Sequence, residues 1–154
     1  MKSYLKTIGI VIAVIVVAIA IFFGTEYYRY RQSPDYIAEQ YFKQLEEAYK
    51  NDAYGGSTPE ETLQLFIDAL KKGDTELAVR YFLISEQDKW RENLNKIKGT
   101  GQLDAMISDL RRAERNKSSS EEQVFFTAGN QKNEAVLDVD LVKLSTGKWK
   151  IRGL

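Results

Sequence analysis

The sequence predicts an α+β protein, with an N-terminal transmembrane helix followed by several amphipathic helices packed on a C-terminal antiparallel sheet of about three strands. Three observations support this fold class. The run IGIVIAVIVVAIAIFF, residues 8–23, has no polar side chain. From residue 34 to residue 110, apolar side chains recur at the spacing of a helix. From Gln123 onward the apolar period changes to two, as in strands.

The apolar run at residues 8–23 is the strongest single signal in the sequence. As a helix it covers about 24 Å, against a hydrocarbon core of about 30 Å. Leu5 and Gly24 extend the run, and four tyrosines flank it as interface anchors, namely Tyr4, Tyr27, Tyr28 and Tyr30. We therefore expect a transmembrane helix over residues 8–24 and a short head over residues 1–7.

Two other interpretations of this segment are open. A cleaved signal peptide would use Lys2 and Lys6 as its basic region and Ala18-Ile19-Ala20 as its cleavage site, but the apolar run continues beyond that site. A buried core helix would need protein around its whole circumference, which a chain of 154 residues can hardly supply. The transmembrane helix remains the favoured interpretation.

Charges beside the apolar run predict its orientation. Lys2 and Lys6 precede it, and Arg29 and Arg31 follow it, so the charge bias is slight. The free amino terminus adds a positive charge to the head, which favours a cytoplasmic head. We accordingly predict a single-pass protein of the cell membrane, with its C-terminal domain outside the cytoplasm.

Residues 25–57 are expected to form a juxtamembrane helix and a hinge. Ser33 has the features of an N-cap, and Pro34 suits the first helical position. Gly55 and Gly56 interrupt the chain and predict the hinge. The predicted apolar stripe consists of Ile37, Tyr41, Leu45 and Ala48.

The stretch TPEETLQLFIDALKKGDTELAVRY, residues 58–81, predicts two short helices. Thr58 is expected to cap the first helix, with Glu61 completing a capping box. Gly73 predicts a left-handed stop, after which Asp74 caps the second helix. The buried stripe of the first helix comprises Leu63, Phe66, Ile67 and Leu70.

Two more helices and three strands complete the predicted domain. Helical patterns begin near Ser85, ending at Gly99, and near Leu103. The strand patterns are VFFTA, EAVLDVDLVKL and KWKIRGL, joined by loops of hairpin length. In the second strand, we expect Ala135, Leu137, Val139 and Leu141 on one face, and Val136, Asp138, Asp140 and Val142 on the other.

Composition argues against several classes of function. With 22 basic and 22 acidic residues, the net charge is zero, so nucleic acid is not an expected partner. The sequence has no cysteine and no histidine, which removes disulfides, thiol nucleophiles and the commonest metal ligand and general base. We expect no metal site and no cofactor.

Two stretches, residues 58–82 and residues 141–154, resemble the first helix pair and the final hairpin of nuclear transport factor two-like (cystatin-like) domains. The resemblance implies one such α+β domain over residues 58–154. This family includes enzymes, ligand-binding proteins and assembly subunits on one scaffold. Its enzymes typically use a histidine and a carboxylate, and no such pair can be assigned in a chain without histidine.

Four residues are candidates for a ligand site. Asp138 and Asp140 share a strand face about 7 Å apart, which is compatible with an acid/base pair or with a solvated outer face. Tyr81 and Trp90 could line a pocket, although aromatic residues on helical stripes usually belong to the core. A separate basic cluster, which could meet lipid phosphates or an acidic partner or could simply end a helix, comprises Arg111, Arg112, Arg115 and Lys117.

Two functions follow as hypotheses. The first is a membrane-anchored, extracytoplasmic interaction or scaffold domain of a bacterial envelope, without catalytic activity. Its partners would be the lipid bilayer together with an envelope protein or a second copy of the chain. The alternative is a small-molecule-binding domain, or a minor enzyme, that uses a pocket between sheet and helices.

Overall fold

The structure is a computed structural model that describes the backbone of residues 2–129 and 135–154 and the side chains of residues 15–129 and 137–154. The chain divides into two compact units, Met1–Glu47 and Ala48–Leu154. Over the described residues it is an α+β protein with six α-helices and a four-stranded antiparallel sheet.

The first unit contains helix α1, Lys2–Arg31, and most of helix α2, Pro34–Lys50. Ser33 caps α2 as predicted, since the Tyr36 amide donates to Ser33 Oγ at 3.2 Å. At the turn between the helices, the rings of Tyr30 and Tyr36 meet edge to face at 5.3 Å.

The predicted transmembrane helix over residues 8–24 is contradicted. Within the described part of the chain, no helix combines the length and the apolarity that crossing a bilayer requires. The side chains of residues 1–14 lie outside that part. The apolar stretch that it does include, Ile15–Phe23, rises only about 13 Å as a helix, and charged residues follow from Glu26. The single-pass cell-membrane location inferred from this helix is overturned with it.

The helices of the second unit follow the predicted order. Gly73, with a φ of 67°, separates the first two of them as expected. A single 3-10 turn, Ile84–Glu86, precedes the third. The helices are α3, Pro59–Lys71; α4, Thr75–Val79; α5, Gln87–Gly99; and α6, Leu103–Arg112.

The start of α3 confirms the predicted cap with one difference. Thr58 Oγ1 accepts from the Glu61 amide at 3.1 Å. In return, Glu61 Oε2 accepts from the amide of Ser57 at 2.6 Å, one residue before the position expected of a capping box. Asp74 caps α4 by accepting from the Leu77 amide at 2.9 Å, as predicted.

The sheet has one strand more than the three predicted. It is an antiparallel meander in the order β1, β2, β3, β4. The unpredicted strand β1 is only two residues long, too short to show a period, and pairs Arg115 with Phe126. The strands are β1, Glu114–Arg115; β2, Gln123–Gly129; β3, Ala135–Lys143; and β4, Trp149–Gly153.

The helices cover one face of this sheet. In β3, Val139 and Leu141 are buried while Asp138 is exposed, as the alternation predicted. The predicted orientations of Ala135 and Val136 lie outside the described side chains. The core between helices and sheet includes the aromatic residues Phe66, Phe82, Trp90, Phe126 and Trp149.

The outer edge of β4 is covered by backbone from two other segments. The Trp149 amide donates to the Gly56 carbonyl at 3.0 Å. Further along the strand, the Ile151 amide donates to the Tyr81 carbonyl, and the Leu83 amide donates to the Ile151 carbonyl, both at 2.9 Å. The hinge and the segment after α4 therefore close this edge of the sheet.

Candidate functional site

An open cleft of about 310 Å³ lies between α5, α6 and the C-terminal strands. Its wall is mainly apolar, and its two polar lining residues are Gln102 and Asp109. We call it the Trp90 cleft. Its apolar lining residues are Trp90, Ile97, Ala105, Met106, Leu137 and Leu154.

The corner between α5 and α6 shapes the cleft. Gly101, with a φ of 71°, reverses the chain after α5, a backbone conformation that glycine adopts without strain. The Gln102 amide then donates to the Ile97 carbonyl at 3.1 Å, which closes the corner. As a result, Ile97 near the end of α5 and Met106 in the first turns of α6 line the same space.

Trp90 is the one aromatic residue among those that line the cleft. The residue is 7% exposed, and its ring stacks on that of Phe82 with 4.8 Å between the ring centroids and an interplanar angle of 20°. Its indole Nε1 is the only buried side-chain nitrogen or oxygen in the described part of the chain that has no hydrogen-bond partner. A neighbouring groove of about 300 Å³ shares Trp90, Ile97 and Gln102 with the cleft.

Charge in the cleft is balanced. The one carboxylate of its wall, Asp109, accepts a hydrogen bond from Arg112 Nη2. Neither lysine nor arginine is among the lining residues. Outside the wall, Lys89 Nζ lies 5.8 Å from the centre of the Trp90 ring.

Only one of the two predicted aromatic site residues, Trp90, lines this cleft. Tyr81 is 7% exposed, and its ring meets Tyr54 edge to face at 6.1 Å. Burial raises the pKa of the Tyr81 hydroxyl. Tyr81 is therefore part of the packing beside the hinge.

The structure places Asp138 and Asp140 on the sheet face opposite to the buried residues of β3. Asp138 accepts a hydrogen bond from Thr127 Oγ1 at 2.7 Å. Asp140 accepts from Arg152 Nε at 2.6 Å and from Gln123 Nε2 at 3.1 Å. The two carboxylates thus lie on the sheet face away from Trp90, and each accepts hydrogen bonds from side chains of neighbouring strands.

The residues of the predicted basic cluster interact with different partners. Arg112 pairs with Asp109, and Arg115 Nη1 lies 3.1 Å from Glu60 Oε1. Arg111 and Arg112 line a separate cleft of about 510 Å³ together with Lys71. The fourth member, Lys117, lies in the turn after β1.

Lys150 is a buried charged residue. In its strand, Lys148, Lys150 and Arg152 alternate with the apolar Trp149 and Ile151, a pattern that predicts Lys150 on the polar face of the sheet. Its side chain is fully buried, and its Nζ donates to Asp52 Oδ2 and to the Arg80 carbonyl, both at 2.6 Å. Burial is the main cause of the lowered pKa of Lys150. Asp52 is 98 positions away in the sequence, so strand alternation alone could not reveal this pair.

The site residues that sequence reasoning missed are the cleft residues around Trp90. Ile97 and Met106 lie within the two helical patterns predicted to begin near Ser85 and near Leu103. The pattern could not show what they face, because the corner between α5 and α6 determines it. Among the described residues, no group of three acidic residues is placed to hold a metal ion. No protein-family model, curated protein or solved structure matches the chain. Its resemblance to nuclear transport factor two-like domains therefore stays a prediction from the residues.

Proposed function

We propose that this protein is a small-molecule-binding domain without catalytic activity, and that the Trp90 cleft is its binding site. The observation that carries the proposal is an apolar cleft of about 310 Å³, built from two helices and the sheet. Small-molecule sites are typically mainly apolar, with a few polar groups, and have volumes from about 300 Å³ upward.

The chemistry available in the cleft favours binding over catalysis. The sequence has no histidine or cysteine to act as a base or nucleophile near neutral pH. The carboxylate of Asp109 is engaged by Arg112. Asp138 and Asp140 belong to the opposite sheet face, so neither can assist a reaction at Trp90.

A cleft-filling substitution tests this proposal in the full chain. The neutral fluorophore N-phenyl-1-naphthylamine is expected to bind saturably to the wild type, with increased emission. Met106→Trp adds bulk to the cleft wall and should abolish this binding. Leu65→Trp is the matched control, because Leu65 lies on α3, is 36% exposed and is not a cleft residue. Equal binding by both variants would show that the fluorophore binds elsewhere, and would refute the proposal.

A second candidate function, an interaction module that self-associates, is favoured by the exposed apolar side chains of α2. Ile37, Tyr41 and Phe42 are 58%, 50% and 66% exposed. Clustered apolar groups of this kind often mark protein contacts.

Sedimentation velocity of the full chain tests this second function. The Tyr41→Glu variant should contain a larger fraction of monomer than the wild type. The Lys43→Glu variant, which is changed on the other side of α2, should associate as the wild type does. A wild type that remains monomeric at every concentration would exclude this candidate.

A further inference from the structure

The buried indole N–H of Trp90 needs an explanation. Buried polar groups in proteins are nearly always hydrogen-bonded, and an unpaired donor costs about 1–3 kcal/mol. Trp90 Nε1 has no partner among the described residues, although its ring is held by stacking on Phe82. The same residue lines the cleft and the neighbouring groove. An acceptor supplied from the cleft would remove the cost.

We infer that the Trp90 indole N–H is the polar recognition group of the cleft, and that the ligand is an uncharged, mainly apolar molecule with a carbonyl oxygen. This inference rests on the proposed function. The apolar body of the ligand would contact Ile97, Met106, Leu137 and Leu154, while its carbonyl oxygen accepts from Nε1.

The charge distribution favours an uncharged acceptor over a carboxylate or phosphate. An anion would lose hydration on entering the cleft without meeting a lysine or arginine among the lining residues. A neutral carbonyl group has a much smaller desolvation cost, which one hydrogen bond can offset.

Access to the nitrogen requires a small rearrangement. Nε1 is sealed from solvent, so a ligand must displace a lining side chain to reach it. Met106 is half-buried, and methionine is unbranched and adopts several rotamers at little cost. Among the apolar lining side chains, Met106 is therefore the one most easily displaced.

Two probes of the same shape test the inference with the ¹⁵N-labelled full chain. 1-Acetylnaphthalene carries a carbonyl oxygen where 1-isopropenylnaphthalene carries a CH₂ group. We expect the acetyl probe to bind about fivefold more tightly, the effect of one hydrogen bond. It alone should move the Trp90 indole proton resonance downfield. Trp149→Phe identifies that resonance, because Trp90 is then the one tryptophan left in the sequence.

The outcomes separate this inference from the proposed function. If both probes perturb the Trp90 resonance with equal affinity, the cleft binds ligands but the recognition role is refuted. If neither perturbs it, both proposals fail. Tighter binding of 1-naphthoate than of the acetyl probe would refute the uncharged ligand class. In Trp90→Phe the preference for the acetyl probe should disappear, and its persistence in the folded variant would overturn the inference. Should that variant not fold, the probe pair on the wild type still decides.

Discussion

At the scale of single residues, Lys150 carries the most consequential interaction outside the cleft. Its buried ammonium group is compensated by Asp52 and by the Arg80 carbonyl. Removing one partner of a buried ion pair leaves the other charge uncompensated, which is strongly destabilising. We expect Lys150→Met to lower the free energy of unfolding by about 3 kcal/mol, measured by urea denaturation.

Two further variants check this explanation. Arg152→Met removes the ion pair with Asp140 on the solvated face, where the arginine side chain is 49% exposed, and should cost less than about 1 kcal/mol. Adding Asp52→Asn to Lys150→Met removes the stranded charge and should recover about 1–2 kcal/mol. A double variant as unstable as Lys150→Met would show that the charge of Asp52 is not the cause.

The lowered pKa of Lys150 also predicts a pH dependence. In the unfolded chain this lysine titrates near 10.5, above its folded-state value. The unfolded state therefore holds more protons between the two pKa values, and stability rises with pH across that window. Below the pKa of Lys150 in the folded state, the lysine is protonated in both states and no longer contributes to the change of stability with pH.

Urea denaturation at increasing pH, up to about pH 10, should show this rise in the wild type and a smaller rise in Lys150→Met. Above that range the raised pKa of Tyr81 acts in the opposite direction, because the unfolded tyrosine ionises first. Identical slopes in the two proteins would contradict the assignment to Lys150.

Gly55 lies at a position where the backbone conformation and the neighbouring atoms require glycine. Its φ is 114°, and a Cβ added there would lie 2.6 Å from the Trp149 carbonyl oxygen. We expect Gly55→Ala to destabilise the protein by about 3 kcal/mol, from backbone strain and steric overlap. Gly147→Ala is the control, since Gly147 has a φ of 84° but open space around it, and should cost about 1 kcal/mol. If thermal denaturation showed equal losses of stability in the two variants, the steric overlap at residue 55 would have to be relieved by a local shift of the backbone.

Strand alternation predicted the burial of individual residues correctly where the outer face of the sheet is not covered by another segment. It placed Asp138 and Val139 on the correct faces. It failed for Lys150, because Asp52, which precedes the hinge, covers that part of the outer face. The Trp90 cleft was equally unpredictable in detail, since it depends on contacts between separate elements.

At the scale of secondary-structure elements, the cap of α3 supports a direct prediction. Thr58 satisfies one of the free amide groups at the helix start. Thr58→Ala should therefore lower the free energy of unfolding by about 1 kcal/mol. Thr58→Ser retains an acceptor oxygen and should lose much less, which urea denaturation can measure. If Thr58→Ala and Thr58→Ser lost the same amount of stability, the effect would come from the threonine methyl group.

All the helices predicted after residue 33 are present, and the clearest predictions were those with strong local signals. Helices α3 and α4 have caps and a glycine stop, while β2, β3 and β4 have a clear period of two. Strand β1 was missed because two residues cannot show a period. The transmembrane prediction relied on hydropathy alone, and the described part of α1 does not meet the requirement for a span.

At the scale of the whole molecule, the buried core cluster formed by the described side chains lies in the second unit, between Leu63 and Ile151. A fragment of residues 48–154 should therefore fold and retain a cooperative urea transition. A fragment of residues 58–154 lacks Asp52 and the hinge, and we expect it to be less stable by at least about 3 kcal/mol.

Near-ultraviolet circular dichroism and urea denaturation of both fragments check this expectation. Native-like spectra with equal midpoints would show that the hinge contributes nothing to stability. An unfolded longer fragment would show that the first unit is required for folding, contrary to the position of the core.

The covered edge of β4 bears on the solubility of the sheet. Exposed strand edges offer unpaired amides and carbonyls that recruit strands from other chains, and so begin aggregation. Here the backbone of Gly56, Tyr81 and Leu83 already occupies those groups, and the opposite edge ends in the two-residue strand β1. Loss of the hinge would uncover part of β4, so destabilised variants in that region should form fibrils sooner than equally destabilised variants in α3.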